Sequence, residues 1–126
     1  MLEINKNGDR FWRNEQGDLH REEGPAIERN DGTKYWYVNG KCHRKDGPAV
    51  EYSDGNKEWA LDGNRHRVDG PAIEDINEGK FWFWNGNRHR IGGPAIEWSN
   101  GSKGWWLNGK RYSESEYKER ERDSEW

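Results

Sequence analysis

The sequence predicts an all-β protein: an elongated, curved, single-layer antiparallel meander of stacked 23-residue hairpins that ends in a short capping helix. Three observations carry this. Histidines at 20, 43, 66 and 89 recur every 23 residues, which marks a tandem repeat. Most glycines follow Asn or Asp and separate short runs rich in aromatic and β-branched residues, and such pairs supply the positive φ values of tight hairpin turns. No stretch from 1 to 111 places apolar residues at helical spacing. An array of this kind draws its stability from contacts between neighbouring repeats.

The chain reads as a single repeat domain. Residues 1–19 are an N-terminal partial repeat, with Trp12 and Gly17 in place and one residue inserted. Residues 20–112 hold four copies of His-Arg-x-x-Gly-Pro-Ala-(Ile/Val)-Glu, a polar turn, then x-Trp-x-x-(Asn/Asp)-Gly, and residues 113–126 are a helical cap and tail. Counting outward from two-residue turns at Asn39-Gly40, Asp54-Gly55 and Asp62-Gly63 sets a register for about ten short strands. It joins Ile27, Trp36 and His43; Val50, Trp59 and His66; and Ile73, Trp82 and His89 into inward rows, with Ile96, Trp105 and Tyr112 last. His20, His43, His66 and His89 thus form a structural ladder with Trp36, Trp59, Trp82 and Trp105.

On the opposite face the same register sets Glu28, Tyr35 and Arg44; Glu51, Glu58 and Arg67; and Glu74, Phe81 and Arg90 side by side. A second outward row joins each repeat Ala to a variable residue and a basic one, as in Ala72, Phe83 and Arg88, or Ala95, Trp106 and Arg111; the first copy reads Ala26, Tyr37 and Cys42. Proline cannot continue a ladder, so each Gly-Pro predicts a bend. At the C-terminus, Ser113 and Glu116 match a capping box and Tyr112 and Tyr117 a hydrophobic staple, which predicts a helix from about 114 to 122 over the last sheet edge.

With 29% hydrophobic and 36% charged residues, composition leans toward disorder, yet nine Trp, five Tyr and three Phe do not suit a disordered chain. Large rings bury enough area to replace aliphatic bulk. A net charge of -3 disfavours bulk nucleic-acid binding. One cysteine, Cys42, excludes a disulfide framework and suits the cytoplasm. The N-terminus lacks an apolar run of signal-peptide length and no run spans a bilayer, so a soluble, unprocessed chain is expected.

Successive histidines lie two strands apart, about 9–10 Å, too far to share a zinc ion, so no metal or other cofactor is expected. General acid–base chemistry needs a unique pair of groups in a cleft, and repetition argues against one, so no enzyme is expected. Cys42 stands where two other copies have Arg, a tolerated substitution. The informative residues are those that break the repeat on the outward face: Tyr35, Tyr37, Phe81, Phe83 and Trp106, flanked by Arg44, Arg88, Arg90 and Arg111. Aromatics edged with Arg have the composition of a protein-binding hot spot. Rival readings are a small-ligand or nucleotide sponge with its pocket at a homodimer seam, and a lipid-binding module.

The Trp-x-x-Asn-Gly-x-x-His pattern over residues 12–112 resembles the MORN repeat, more closely its variant form. The resemblance implies a sheet of stacked hairpins and roles in protein binding and assembly. Here Arg follows each His, and Gly-Pro-Ala is added. Asn39-Gly40-Lys41-Cys42-His43-Arg44 through Gly47-Pro48-Ala49 looks like repeats common in bacteriophage and large-virus proteins. That likeness implies a phage-encoded inhibitor that captures a host protein sterically in the host cytoplasm.

Overall fold

The computed structural model describes residues 1–123, and the end of the expected tail, 124–126, lies outside them. The chain forms two compact units, Met1–Asn64 and one that begins at Arg65. The first contains β1 (Leu2–Ile4), β2 (Arg10–Trp12), β3 (Ile27–Glu28), β4 (Lys34–Tyr35), β5 (Tyr37–Val38), β6 (Lys41–Cys42), β7 (Val50–Glu51), β8 (Lys57–Glu58) and β9 (Ala60–Leu61), with β10 (Asn64–Arg65) at the boundary. The second contains β11 (Ile73–Asp75), β12 (Gly79–Phe81), β13 (Phe83–Trp84), β14 (Asn87–Arg88), β15 (Ile96–Trp98), β16 (Lys103–Leu107), β17 (Lys110–Tyr112) and α1 (Glu114–Asp123).

The fold is the all-β antiparallel meander that the repeat predicts. Its ladder runs β1-β2-β3-β4-β7-β8 in the first unit and β11-β12-β15-β16-β17 in the second, while β5–β6, β9–β10 and β13–β14 form separate small hairpins. Seventeen strands are described where about ten were expected, because most of the long strands are interrupted at one of two places, β16 alone running unbroken through its repeat tryptophan. One break is the Gly-Pro bend. The other falls at the repeat tryptophan: Trp36 donates its N–H to Ala49 at 2.7 Å but accepts from His43 N–H at 3.0 Å, so its two backbone groups serve different neighbours.

Two kinds of turn alternate, and only one kind follows the expected register. At Asn39-Gly40, φ is +50° and +81°, and Tyr37 faces Cys42, as a two-residue type I′ turn requires. Asp62-Gly63, Asn85-Gly86 and Asn108-Gly109 repeat those angles. Asp54-Gly55 differs. Tyr52 N–H bonds Asn56 C=O at 3.0 Å, Gly55 N–H bonds Tyr52 C=O at 2.9 Å, and Gly55 alone has positive φ, at +96°. This is the three-residue loop with a bulged glycine, which adds one residue to the turn.

Val50 therefore faces Glu58, not Trp59, and likewise Ile27 faces Tyr35, Ile73 faces Phe81 and Ile96 faces Gly104. A slip of one residue moves every side chain beyond the turn to the other face, so Ile27, Val50, Ile73 and Ile96 leave the expected rows, while the tryptophan half keeps its register: Trp105 faces Tyr112, and His43 and His89 donate N–H to Trp36 and Trp82 C=O. The observed rows on one face are Phe11, Ile27, Tyr35, Val50 and Glu58 in the first unit, and Ile73, Phe81, Ile96 and Gly104 in the second. Tyr35 and Phe81 thus share the face of the buried aliphatics instead of opposing it. The other face carries Arg10, Glu28, Lys34, Glu51 and Lys57, then Glu74, Lys80, Glu97 and Lys103. Opposite charges placed directly across strands each contribute roughly 0.2–1 kcal/mol.

The core is small and lies beside the Gly-Pro bends. Ala26, Ala49, Ala72 and Ala95 are fully buried, with Ile27, Val50, Ile96, Phe83 and Leu107 nearly so. This reverses the expected outward Ala rows. The helix arrives as predicted: Ser113 N–H donates to Glu116 Oε1 at 3.0 Å, and Glu116 N–H to Ser113 Oγ at 3.2 Å. Tyr117, at the staple position, packs on a residue outside the capping segment. It is buried, with its ring centroid 5.0 Å from that of Trp105.

A candidate binding cleft in each unit

Each repeated residue has a structural task. Every histidine accepts, at Nδ1, the backbone N–H that opens the next Asn/Asp-Gly turn: His20 from Asn39 at 2.9 Å, His43 from Asp62 at 2.9 Å, His66 from Asn85 at 3.0 Å and His89 from Asn108 at 2.9 Å. The turn glycine bonds the same earlier hairpin, as Gly40 N–H does Leu19 C=O at 2.8 Å. An imidazole that accepts at Nδ1 is neutral there and carries its proton on Nε2. His66 also lies against Trp84, ring centroids 4.4 Å apart. Among the described residues no three His, Cys, Asp or Glu side chains gather to hold a metal.

The repeat arginine is held on three sides. Arg44 Cζ lies 3.9 Å above the Trp36 ring, and its Nη1 donates to Pro48 C=O at 3.1 Å and to Glu51 at 3.3 Å. Arg90 does the same at Trp82 (3.8 Å), Pro94 and Glu97. A Cβ added at Gly93 would stand 2.8 Å from Arg90 Cζ, and at Gly47 3.0 Å from Arg44 Cζ, so the glycine of each Gly-Pro leaves room for the guanidinium. The expected cross-strand rows Glu28–Tyr35–Arg44 and Glu74–Phe81–Arg90 are replaced by pairing of each arginine with the glutamate seven residues later. Arg44 and Arg90 are therefore engaged internally.

The aromatic stripe expected at the surface does not stand out from it. Phe83 is buried at 8% exposure, and Tyr35, Tyr37, Phe81 and Trp106 are half-buried. Tyr35 packs edge-on to Tyr52, Phe81 to Trp98, and Arg88 lies 4.9 Å from the Trp106 ring. Arg111 faces Trp106 across β16 and β17 and is exposed. Trp36, Trp59, Trp82 and Trp105 are half-buried. Cys42 sits across from Tyr37; burial, with Glu58 nearby, pushes its thiol up to about 11, so it is no ready nucleophile.

Between successive His-Arg-x-x-Gly-Pro loops the repeat leaves a cleft floored by the tryptophan. In the first unit it measures about 620 Å³ and is lined by Arg21, Glu22, Glu23, Trp36, Lys45 and Asp46, among others. In the second it measures about 510 Å³, and Val68, Phe83, Trp84 and Ile91 give it an apolar rim. Val68 is 76% exposed, Ile91 51% and Trp84 42%. Sequence reasoning passed over these three. The available signal was the variable pair after each His-Arg: Glu22-Glu23 and Lys45-Asp46 become Val68-Asp69 and Ile91-Gly92.

Of the cleft histidines, His89 is held below its ordinary 6.5 by burial. No helix among the described residues is long and apolar enough to cross a membrane. No protein-family model and no curated protein matches the chain.

Proposed function

We propose that this chain is a non-enzymatic scaffold that binds a protein partner in the apolar cleft of its second unit. The observation behind this reading is that Val68, Trp84 and Ile91, at positions the repeat leaves free, are large, apolar and exposed around one concavity. Contiguous exposed apolar surface beside a formed cleft favours a binding role. Its volume suits one or two large side chains of a partner, with Trp84 as the aromatic anchor. Capture would act by steric occlusion, the role implied by the likeness to phage repeats, and the single cysteine suits the host cytoplasm. The nucleotide reading has less support, since Arg44 and Arg90 already hold a carbonyl and a carboxylate.

Matched affinity captures from candidate host lysates test this, with the wild-type chain and the Val68→Ser/Ile91→Ser variant as baits. A partner retained by wild type and lost by the variant, with unchanged far-ultraviolet circular dichroism, is the expected result. Equal retention by both would show the cleft to be wrongly assigned.

A further inference from the structure

The outermost strand of the first unit is bare along one side. β1 pairs only with β2, in the register Leu2↔Trp12, Glu3↔Phe11 and Ile4↔Arg10. Bonded and non-bonded pairs alternate along an antiparallel ladder, and the bonds at the two ends of β1 fix the phase. Arg13 N–H reaches Met1 C=O at 3.1 Å and Asn5 N–H reaches Asp9 C=O at 3.0 Å, while Trp12 N–H turns the other way, to Ala26 C=O at 2.8 Å. Met1, Glu3 and Asn5 therefore point their backbone groups at β2, and Leu2 and Ile4 point theirs outward. Those two residues present two N–H donors and two C=O acceptors along the edge, with 47% and 60% of their surface exposed.

An open edge of this kind invites a further strand, and lysine, proline or a bulge is the usual guard against one. β1 has none of these, reading Leu2-Glu3-Ile4. Its one charge is already answered, since Glu3 Oε1 stands 3.3 Å from Arg13 Nε. In the second unit the outer strand β17 is treated differently, with α1 packed against it.

We infer that β1 pairs antiparallel with β1 of a second copy of this chain, across a two-fold axis at Glu3. The register follows from which groups are free. With Glu3 opposite its mate, Leu2 meets Ile4 of the other copy and Ile4 meets Leu2, so every outward backbone group of β1 is bonded on both sides. The same two pairs lay aliphatic on aliphatic and cover side chains that otherwise face water. On the opposite face the two Glu3 carboxylates lie side by side, each keeping its own Arg13. An axis at Ile4 would instead set Leu2 against Lys6, inside the turn where Asn5 Oδ1 holds the N–H groups of Asn7 and Asp9. A foreign strand would have to match the spacing of Leu2 and Ile4, whereas a second copy carries it by symmetry. This pairing is independent of the cleft in the second unit.

Sedimentation equilibrium of the full chain from roughly 1 µM to 1 mM covers the weak association expected of so short a seam. A monomer–dimer equilibrium is expected, weakened about tenfold or more in Ile4→Pro, which removes an outward N–H and leaves the bonds between Glu3 and Phe11 in place. The register is read separately by air oxidation in a Cys42→Ser background. Glu3→Cys should close a disulfide across the axis, because directly opposite non-bonded residues stand about 4.5 Å apart at Cα. Leu2→Cys should stay reduced, its mate being a diagonal neighbour about 7–8 Å away. If Ile4→Pro also releases β1 from β2, seen as lost amide protection at Phe11, the cross-link alone decides. A chain monomeric at the highest concentration, a dimer indifferent to Ile4→Pro with β1 still in place, or Leu2→Cys linking as readily as Glu3→Cys would each overturn the inference; a monomer would leave the edge to a strand of another protein.

Discussion

In the first unit the cleft between successive loops is rimmed by Glu22, Glu23, Lys45 and Asp46, whereas the second unit sets Val68, Trp84 and Ile91 around the same tryptophan floor. The supporting parts are alike in both: an arginine over an indole, a glycine beneath the guanidinium, a histidine that receives the next turn. A solvated charged rim remains in water at little cost, while an apolar rim gains by being covered, at roughly 25 cal/mol per Å². Identical scaffolding with different rims separates the residues that build the repeat from those free to recognise something.

The comparison can be sharpened most by removing what the second unit alone possesses. Tyr117→Ala deletes a buried ring together with its bonds to Arg90, Gly92 and Gly93, and should destabilise the second unit by about 3–5 kcal/mol. Amide exchange should speed up after Arg65 and hardly change in residues 1–64; equal acceleration in both would show that the units do not open separately.

Replacing the shared part should affect both units alike. Arg44→Lys and Arg90→Lys each lose the planar stack and one fork of the paired hydrogen bonds, about 1–2 kcal/mol apiece. Chemical denaturation of each variant checks this, and a wide disparity would mean that the arginine serves different ends in the two units.

Exchanging the rims should move binding with little effect on folding. Glu22→Val with Lys45→Ile should raise fluorescence of a hydrophobic dye, Val68→Ser with Ile91→Ser should lower it, and both should shift stability by no more than about 0.5 kcal/mol per site. Dye signals unchanged by either exchange would break the distinction between the rims.

Acid should loosen the second unit at His89. Its folded imidazole lies below the ordinary 6.5 because of burial, so the unfolded chain binds the proton more readily. The stabilising contribution is then complete above pH 6.5 and declines as pH falls through 6.5 toward the folded value. Protonation also fills Nδ1, which holds Asn108 N–H. Exchange of the Asn108 amide should therefore accelerate below pH 6.5, and a flat profile from pH 7.5 to 5 would contradict this. The smallest effect concerns Cys42: alkylation of the native chain should still be gaining rate above pH 9, as expected for a thiol near 11.

Much of this was legible in the chain because it is local. Asn39-Gly40 and its three copies announce type I′ turns, and Ser113 with Glu116 announces the helix start. The misread register came from Asp54-Gly55, where the same dipeptide spelling serves a longer loop. In three of the four copies the residue before the pair distinguishes them: polar Asn30, Ser53 and Ser99 precede the bulged turns, while apolar Val38, Leu61, Trp84 and Leu107 precede the tight ones; the third copy has Ile76 there and reads Asn77-Glu78-Gly79 in place of the dipeptide. The arginine's partner was hidden for a different reason. Glu51 and Pro48 meet Arg44 only because the chain bends back at Gly47.

By itself, then, the sequence determined the repeat, the all-β class, the tight turns and the capped helix, since each rests on backbone preferences spanning a few residues. Tertiary structure decided which face each side chain takes, that the repeat alanines are the most buried residues, and that Val68, Trp84 and Ile91 meet around one cleft. Those outcomes depend on one extra residue in a turn and on bends that bring distant positions together, and no local preference encodes either.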